Sequence, residues 1–552
     1  MNLKFVRRIV LTTVIAIVFV SIQSEGVQAQ ARMDWVPEIL DGDAAESVYL
    51  PDYSYAGYRW GEEEFPEFST TIDVTEFGAV PDDGENDTEA IKKAFEKAHD
   101  MDEPVTVYLP KGQYMLTEIL YIERSDFILK GAGSGEDGTI IYSPLQLTEL
   151  PTPDDLKELE EYLTTYNKKE DGVPYSLYAW SGGYIWPRVP GKRVKAYMEK
   201  YNTKQKVLTS ARDGKRGSHW MVVQSGKKLS VGEMYEVHWY NKEGKASSLI
   251  QHIYDNQVNQ IKVGSRHWEN PDIPLVSQPV TITRIAGDTV WTKAPLLNDI
   301  RPEWECTLTD WEHLENVGIE HLRFEYPYTE YRLHHVGRGY SPMYLTSLSH
   351  SWVDDITVHN GSNGVLSDDC ANVTIRDFET TGSKYHYAVM MGEVHNMLAE
   401  DIRANADAMH SISLNTGATN CVFTDCQLNV NPTMDQHSGI NYQNLFEEIY
   451  VEEPDKSHRY IDDGGAGYWK PSHGAFTTFW NIEVNYTFEH PSDETITVQG
   501  VQDGPSARII GLNANYPVEI DYKPNSYIEG TNRTDLNIPS LYQYQLEQRL
   551  HR

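Results

Sequence analysis

Apolar and polar positions repeat along the middle of the chain, between residues 314 and 445, with spacings of 22 to 24 residues. Each repeat places an Asn before a short apolar run and an Asp just before a further apolar residue. A period of about 20 to 50 residues with short β-rich units is typical of a solenoid, and the recurrent Asn favours a parallel β-helix. The repeated positions are Asn372, Asn396 and Asn420, and Asp355, Asp377, Asp401 and Asp425.

These two polar ladders are interpreted as structural. A recurrent Asn at a turn is explained by hydrogen bonding between its side chain and the backbone. The Asp ladder could instead supply the paired carboxylates of a glycosidase. Because it recurs evenly through successive repeats, whereas an active site is local, we expect turn or solvent positions for these Asp residues.

The segment that precedes the repeats predicts a strand at 72–74, a helix at 87–98 and a strand at 105–109. Asp87 suits the helix N-cap, and the helix has one apolar stripe. An amphipathic helix at this point would cap the otherwise exposed end of a solenoid. The stripe consists of Ala90, Ile91, Ala94 and Phe95.

Residues 146–300 break the repeat pattern. A charged helix is predicted at 154–166, and alternating strands with Gly and Lys turns are predicted between 220 and 282. We expect a β-rich insertion that walls one end of a groove or is an appendage without ligand contacts. The predicted divisions are therefore a start of the solenoid at 30–145, the insertion at 146–300, main rungs at 301–530 and a C-terminal tail at 531–552.

The first 29 residues predict a secretory signal peptide. Lys4, Arg7 and Arg8 precede an apolar run over 9–22, and small residues follow at 27–29. The run is shorter than the roughly 20 residues of a membrane span. We therefore expect a secreted or periplasmic protein with no membrane span after removal of the signal.

The formal net charge of −35 argues against nucleic acid or an anionic membrane as the main partner. If the substrate is an anionic polymer, the groove must carry Arg, Lys, His or a metal ion locally. Four cysteines are too few for a disulfide scaffold, although one disulfide stays open, and no zinc-binding spacing occurs. A monomer is expected.

Histidines recur with the repeats and form the candidate site. His386, His410 and His437 follow one another at spacings of 24 and 27, and His473 is a candidate extension of the row. Since parallel strands lie about 4.8 Å apart, equivalent positions would stack their imidazoles into a column. The alternative is an inward structural ladder, because His410 alternates onto one face with Ile412 and Leu414.

Further candidates surround this column. Cleavage of a uronate polymer by β-elimination needs a base for the C5 proton and an acid for the departing O4. These groups are drawn from His, Tyr, Lys or Arg, and the uronate carboxylate must be neutralised before the C5 proton can leave. The further candidates are Lys384, Tyr385, Tyr387, Arg403, Arg338, His334 and His335.

Residues 77–79, 87–91, 110–114 and 129–133 resemble the start of the pectate-lyase-like right-handed parallel β-helix superfamily. The resemblance implies an all-β, right-handed solenoid. Residues 434–481 are similar to secreted β-helix polysaccharide lyases, which implies cleavage of an acidic polysaccharide by β-elimination. Some relatives bind calcium through acidic clusters, so Ca2+ is a candidate cofactor, with Asp368, Asp369, Glu393 and Asp407 as its candidate ligands.

The sequence thus predicts a lyase that acts on a uronate-bearing, sulfated or unsulfated polysaccharide such as ulvan, alginate or a glycosaminoglycan. His410 is the expected base, His437 or Tyr387 the acid, and Lys384, Arg403 or His386 the carboxylate neutraliser. Two alternatives stay open: a β-helix hydrolase that uses Asp368 and Asp369, and a solenoid that binds glycan without cleaving it.

Overall fold

The computed structural model describes residues 35–192 and 206–551. The predicted signal peptide lies outside the described residues. Most of the described chain forms a parallel β-helix in which successive rungs pair in parallel register. This confirms the predicted all-β parallel β-helix.

An 18-stranded sheet bends at each rung and supplies two faces of the solenoid. In chain order its strands are Thr70–Asp73, Val105–Tyr108, Gly112–Met115, Phe127–Lys130, Thr139–Tyr142, Leu314–Glu315, Val317–Glu325, Leu348–His359, Cys370–Thr381, Val394–His395, Leu398–Ala404, Val422–Leu428, Leu445–Glu453, Thr478–Trp480, Glu483–Tyr486, Arg508–Ile510, Asn513–Ala514 and Tyr527–Glu529.

A separate 8-stranded parallel sheet supplies the third face, which we call the site face. Its strands are Leu120–Ile122, Ile185–Pro187, Met343–Thr346, Val365–Asp368, Tyr385–Met391, Ala408–Leu414, Met434–Gln436 and Ile461–Asp462.

The two polar ladders occupy the corners between faces. Asn372 has a φ of 54° and Asp377 a φ of 51°, and the other ladder members have similar positive values. Asn and Asp adopt this left-handed conformation more readily than other non-glycine residues. The predicted turn role of both ladders is confirmed.

The interior of the solenoid is filled by apolar side chains in stacked columns. Phe423, Phe446 and Phe479 stack along one column with ring centroids 5.7 and 5.3 Å apart. Val389 and Ile412 occupy the same register on neighbouring strands of the site face and are fully buried. Because these rows are continuous, each rung buries its apolar face against the next.

The predicted capping helix is the α-helix Thr88–His99, with Asp87 at its N-cap position. The Asp87 carboxylate makes no capping hydrogen bond within the helix. It accepts hydrogen bonds instead from the backbone N–H groups of Val80 (2.9 Å) and Met115 (3.0 Å). Asp87 therefore ties the helix to the first rungs of the solenoid.

The region between the first and main rungs contains a closed antiparallel barrel. The barrel includes Glu305–Asp310, beyond the predicted end of the insertion, whereas Ile185–Pro187 belongs to the site face. The other barrel strands are Val207–Gly214, Trp220–Val223, Met234–Tyr240, Val276–Ala286 and Thr289–Thr292.

The remaining elements are short. Two two-stranded sheets pair Lys169–Glu170 with Val173–Pro174 and Ile496–Gln499 with Val518–Asp521. The other α-helices are Asp43–Ser47, Lys157–Thr165, Ser248–Ile253, Arg266–Glu269 and Leu541–Leu550. The 3-10 helices are Tyr58–Gly61, Val74–Phe77, Leu147–Glu149, Asp154–Leu156, Leu177–Ala179, Gly226–Lys228, Gly244–Ala246 and Val258–Gln260.

The segment predicted as a C-terminal tail contains the helix Leu541–Leu550, which packs on the N-terminal segment. Its first backbone N–H groups, from Leu541 and Tyr542, donate to the buried carboxylate of Glu447 at 2.6 and 3.0 Å. The four cysteines of the chain are buried and free. None of the described helices is long and apolar enough to cross a membrane.

Candidate active site

A cavity of about 390 Å3, which we call the main cavity, opens over the site face. Strands Tyr385–Met391 and Ala408–Leu414 form part of its wall, and the rest comes from residues 162–180, 334–335, 415–416, 437–438 and 465–469. Its aromatic, cationic and imidazole lining consists of Tyr162, Lys168, Tyr175, Trp180, His334, His335, His386, Tyr387, His410, His437, Tyr468 and Trp469.

The carboxylate of Asp435 links two of these imidazoles. Asp435 is fully buried and pairs in register with Ser413, whose hydroxyl donates to its Oδ2 at 2.5 Å. His437 Nδ1 lies 2.7 and 2.6 Å from the two carboxylate oxygens, and His410 Nδ1 lies 3.4 Å from Oδ2. One buried anion therefore faces two imidazoles at the cavity.

The two imidazoles have opposite pKa shifts. Desolvation alone would lower the pKa of His437, but the charge and hydrogen bond of Asp435 outweigh it, and the net shift is upward. Desolvation lowers the pKa of His410 to about 3, although Asp435 opposes the shift. Burial tends to raise the pKa of Asp435, yet the charges of His410 and His437 hold it below its usual value. His437 therefore keeps its proton to a higher pH than His410 does.

Tyr387 completes this group. It pairs in register with His410, and their rings stack with centroids 5.0 Å apart. The ring of His437 meets that of His410 edge to face at 4.8 Å. The imidazole of His410 thus lies between the phenol of Tyr387 and the imidazole of His437.

The predicted column of equivalent histidines is wrong in its register. Tyr387, not His386, lies opposite His410, and His437 follows the strand whose Asp435 pairs with Ser413. The similar spacings in the sequence, 24 and 27 residues, do not reveal these offsets, because the loops between strands differ in length. The rings nevertheless converge, since those of His386 and His410 lie 5.5 Å apart. His386 Nδ1 donates to the carbonyl oxygen of Ala179 at 2.7 Å.

A second cavity of about 220 Å3 shares His334 and His386 with the first. Its lining includes three cations, Arg332, Arg338 and Lys384, and one carboxylate, Glu330. Lys384 Nζ lies 3.1 Å from an oxygen of Asp407. The two cavities meet at His334 and His386, and we call them together the groove.

His334 and His335 share Glu170, which lies in the short strand Lys169–Glu170. His334 Nδ1 is 3.0 Å from Oε1 of Glu170, and His335 Nδ1 is 3.4 Å from Oε2. Among the described residues, two groups combine two imidazoles and a carboxylate closely enough to hold a metal ion: this one and His410, Asp435 and His437.

Three predicted site residues lie elsewhere. Tyr385 is fully buried in the core and donates to the carbonyl oxygen of Val358 at 2.9 Å. Arg403 belongs to the 18-stranded sheet and pairs with Asp401 at 2.7 Å, so it faces away from the cavities. His473 is fully buried, with its Nε2 at 2.5 Å from the Tyr522 hydroxyl. None of the three lines either cavity of the groove.

The acidic pair proposed for hydrolysis also lies outside the groove. Asp369 accepts hydrogen bonds from Trp311 Nε1 (3.2 Å) and the Ser347 hydroxyl (2.8 Å), and Lys192 Nζ lies 2.5 Å away. Asp368 accepts from the Tyr344 hydroxyl at 3.2 Å. Both carboxylates thus have structural partners, at a corner of the solenoid where Asp369 has a φ of 56°.

The predicted calcium ligands do not converge. Asp369 and Glu393 line a small separate cavity of about 40 Å3, whereas Asp407 pairs with Lys384 beside the groove. The described residues contain no cluster of three or more ligands drawn from this set. A calcium site formed by these four residues is therefore not supported.

The insertion contributes to the site, but not through its barrel. Tyr162, Lys168, Tyr175 and Trp180 line the main cavity, whereas none of the described barrel residues lines it or the second cavity. These four residues and Glu170 were not among the predicted site residues. Tyr162 belongs to the predicted helix at 154–166, and the others lie between predicted elements, where no periodicity marks a surface that folds back onto distant rungs.

The fold and this groove define a parallel β-helix protein. Residues 71–146 match a family model described as Rhamnogalacturonase A/epimerase, pectate lyase-like. The match covers the segment that carried the predicted resemblance and confirms the superfamily. No curated protein matches the chain.

Solved structures are similar to the chain at low sequence identity and with TM-scores below 0.5. The tailspike protein gp49 from Pseudomonas phage LKA1 is 11% identical, with 84% of this chain and 81% of that chain covered and a TM-score of 0.46. The Yersinia enterocolitica Family 28 exopolygalacturonase is 13% identical, with 84% and 77% covered and a TM-score of 0.34. The A-module of the Azotobacter vinelandii mannuronan C-5 epimerase AlgE6 is 11% identical, with 83% and 98% covered and a TM-score of 0.32.

Proposed function

We propose that the protein is a secreted polysaccharide lyase that cleaves a uronate-bearing acidic polymer by β-elimination. The observation that carries the proposal is the group formed by Asp435, His437, His410 and Tyr387 at the main cavity. It combines an imidazole of lowered pKa with one of raised pKa, as a base and an acid working in one step require. The family match of residues 71–146 supports a carbohydrate substrate.

The charge distribution supports an acidic polymer. The chain carries a net charge of −35, yet no Asp or Glu occurs among the described residues that line the main cavity. Lys168 lines it instead, and Arg332, Arg338 and Lys384 follow in the second cavity, together with the single carboxylate of Glu330. An excess of cations in the groove favours carboxylate or sulfate groups. The aromatic lining suits stacking against sugar rings.

The proposed reaction needs two proton transfers. His410 removes the C5 proton, the C5–H electrons form the C4=C5 double bond, and the C4–O4 bond breaks. His437 donates its proton to O4 of the departing sugar. After release of the products, the proton on His410 has to return to His437, and Asp435, which contacts both rings, stabilises either charged form. Tyr387 holds the His410 ring by stacking and is the alternative acid.

The substrate carboxylate must lose its effective charge before the C5 proton can leave. The Lys and Arg cations available among the lining residues are Lys168 in the main cavity and Arg332, Arg338 and Lys384 in the second. Arg403 has no such role because of its distance from the site face. His386 is buried and its pKa is well below the usual value owing to desolvation, so it contributes hydrogen bonding rather than charge.

A set of variants tests the assignment. His410→Ala and His437→Ala should each reduce the rate of double-bond formation by about 100-fold or more, as expected for loss of a general base or acid. Asp368→Asn, at a carboxylate outside the groove, is the matched control and should retain most activity. Full activity in both His variants together with loss in Asp368→Asn would favour the hydrolase alternative and contradict the proposal.

A further inference from the structure

We propose that Glu170, His334 and His335 form a binding site for a divalent transition-metal ion, with Zn2+ as the probe, on the wall of the main cavity. Two imidazoles and one carboxylate are the ligand set that zinc and related metals accept, whereas calcium prefers oxygen ligands alone. This site differs in position and chemistry from the acidic clusters that the sequence indicated for calcium.

The spacing of the three groups is compatible with a shared metal ion. Ligands at 2.0–2.1 Å from a tetrahedral zinc ion lie about 3.3 Å from one another. The separations from Glu170 are 3.0 Å for His334 and 3.4 Å for His335. In the other imidazole–carboxylate group, His437 lies 2.6 Å from Asp435, which is a charge-assisted hydrogen-bond distance.

A second observation points to a missing ligand. Nδ1 of His335 is buried and makes no hydrogen bond within the described part of the chain. Buried polar atoms are normally satisfied, so an orphaned imidazole nitrogen beside a carboxylate is a position where a cation would fit.

The site is also built rather than incidental. The backbone N–H of His335 donates to Glu170 Oε2 at 2.9 Å, and the imidazole stacks on Tyr175 with centroids 4.3 Å apart. Trp180 meets the same ring edge to face at 5.5 Å. Supporting contacts of this kind orient metal ligands.

The side chains of Glu170, His334 and His335 keep 18, 33 and 28% exposure. Both imidazoles line the main cavity, so remaining coordination positions of a bound ion would face the space assigned to substrate. Neutralisation of a uronate carboxylate is the role that this placement suggests. That role rests on the proposed function, whereas metal binding does not.

Metal binding is measured on the metal-stripped full chain with Zn2+ by calorimetry and with Co2+ by visible absorption. We expect one tightly bound ion in the wild type and at least about a 100-fold weaker affinity in His334→Ala and Glu170→Gln. His458→Ala is the matched control, because His458 forms a similar pair with Glu453 at 2.7 Å away from the groove. It should bind the metal as the wild type does.

Two results would overturn the site. One is the absence of binding in the wild type, and the other is binding that survives His334→Ala but is lost in His437→Ala, which would assign the ion to the Asp435 group. Anomalous scattering from zinc-soaked wild-type crystals locates the ion without relying on variants. Binding of zinc without any lyase activity would support the site and reject only the role assigned to it.

Discussion

At the scale of single residues, Asp435 determines how the site works. Its carboxylate is fully buried, so an unpaired charge there would be strongly destabilising. The hydrogen bond from His437 and that from Ser413 compensate for burial. Asp435 raises the pKa of His437, whereas desolvation lowers the pKa of the neighbouring His410. The proposed acid–base chemistry uses this difference.

Asp435→Asn should reduce activity by about 100-fold or more, because a neutral amide no longer keeps His437 protonated. Steady-state rates of double-bond formation check this. Ser413→Ala, which removes one hydrogen bond from the same carboxylate and leaves its charge, should lower activity less than tenfold. Equal losses in the two variants would mean that geometry, not charge, is what Asp435 provides.

The pKa shifts define a pH window for stability. The pKa of His437 is raised, so its contribution is fully present below pH 6.5 and is lost as the pH rises through the folded-state value. The pKa of Asp435 is lowered, so its contribution is present above pH 3.8 and is lost as the pH falls through its folded-state value. The pair therefore stabilises the fold fully between about pH 3.8 and 6.5.

Melting temperatures of the wild type and His437→Gln, compared from pH 4 to 9, test this window. The difference in Tm should be largest in mildly acidic solution and shrink at alkaline pH. Activity should fall over the same alkaline range, since His437 must be protonated to act as the acid. A Tm difference that grows with pH would show that His437 is not a charged partner of Asp435.

The chemistry of the site could be predicted from the sequence only at residues with a local signal. His410 and His437 were identified because they recur with the rungs. Gly464, which follows the strand Ile461–Asp462, was not. A Cβ at Gly464 would lie 1.9 Å from Cε1 of His437, so the absence of a side chain there makes room for the imidazole. No periodicity marks a residue whose contribution is empty space.

At the scale of elements, the corners of the solenoid anchor the N-terminal segment. Asn372 Nδ2 donates to the carbonyl oxygens of Tyr55 (2.7 Å) and Gly57 (3.3 Å), and Asn420 Nδ2 donates to that of Asp52 (3.0 Å). The Asn ladder was expected to bond backbone groups. Its partners, however, lie more than 300 positions away in the chain, which no local pattern could indicate.

Asn372→Ala should destabilise the protein by about 1–3 kcal/mol, because Ala is strained at positive φ and two hydrogen bonds are lost. Asn372→Gly is the matched variant, since it keeps the conformation and loses only the bonds. Thermal unfolding ranks the two, and limited proteolysis reports release of residues 52–57. If Asn372→Gly were as destabilising as Asn372→Ala, the backbone conformation at this corner would contribute nothing to the difference in stability.

The elements themselves were predictable to different degrees. The helix Thr88–His99 and the rungs follow from periodicity, because each buries a regular apolar face. The helix Leu541–Leu550 was expected as a tail, since its stabilisation comes from Glu447 and the N-terminal segment rather than from its own pattern. Sequence periodicity reports faces that an element buries by itself, and not surfaces assembled from distant segments.

At the scale of the whole molecule, a strongly acidic protein is proposed to bind an acidic polymer. The net charge of −35 repels such a substrate at long range, whereas the groove attracts it locally. Added salt screens the long-range repulsion before the local attraction, because the Debye length falls from about 30 Å at 0.01 M to about 8 Å at 0.15 M.

Raising the NaCl concentration from about 10 to 150 mM should therefore increase kcat/KM on the acidic polymer. Initial rates at low substrate concentration across this range provide the test. A steady fall from the lowest salt onwards would indicate that attraction at the groove dominates at all distances, and that the acidic surface has no influence on capture.

Ultraviolet absorbance of the purified protein with a panel of uronate-containing polysaccharides tests β-elimination most directly. We expect absorbance from unsaturated uronate to rise on at least one polymer and to depend on His410 and His437. New reducing ends without that absorbance would show hydrolysis instead and would contradict the lyase mechanism.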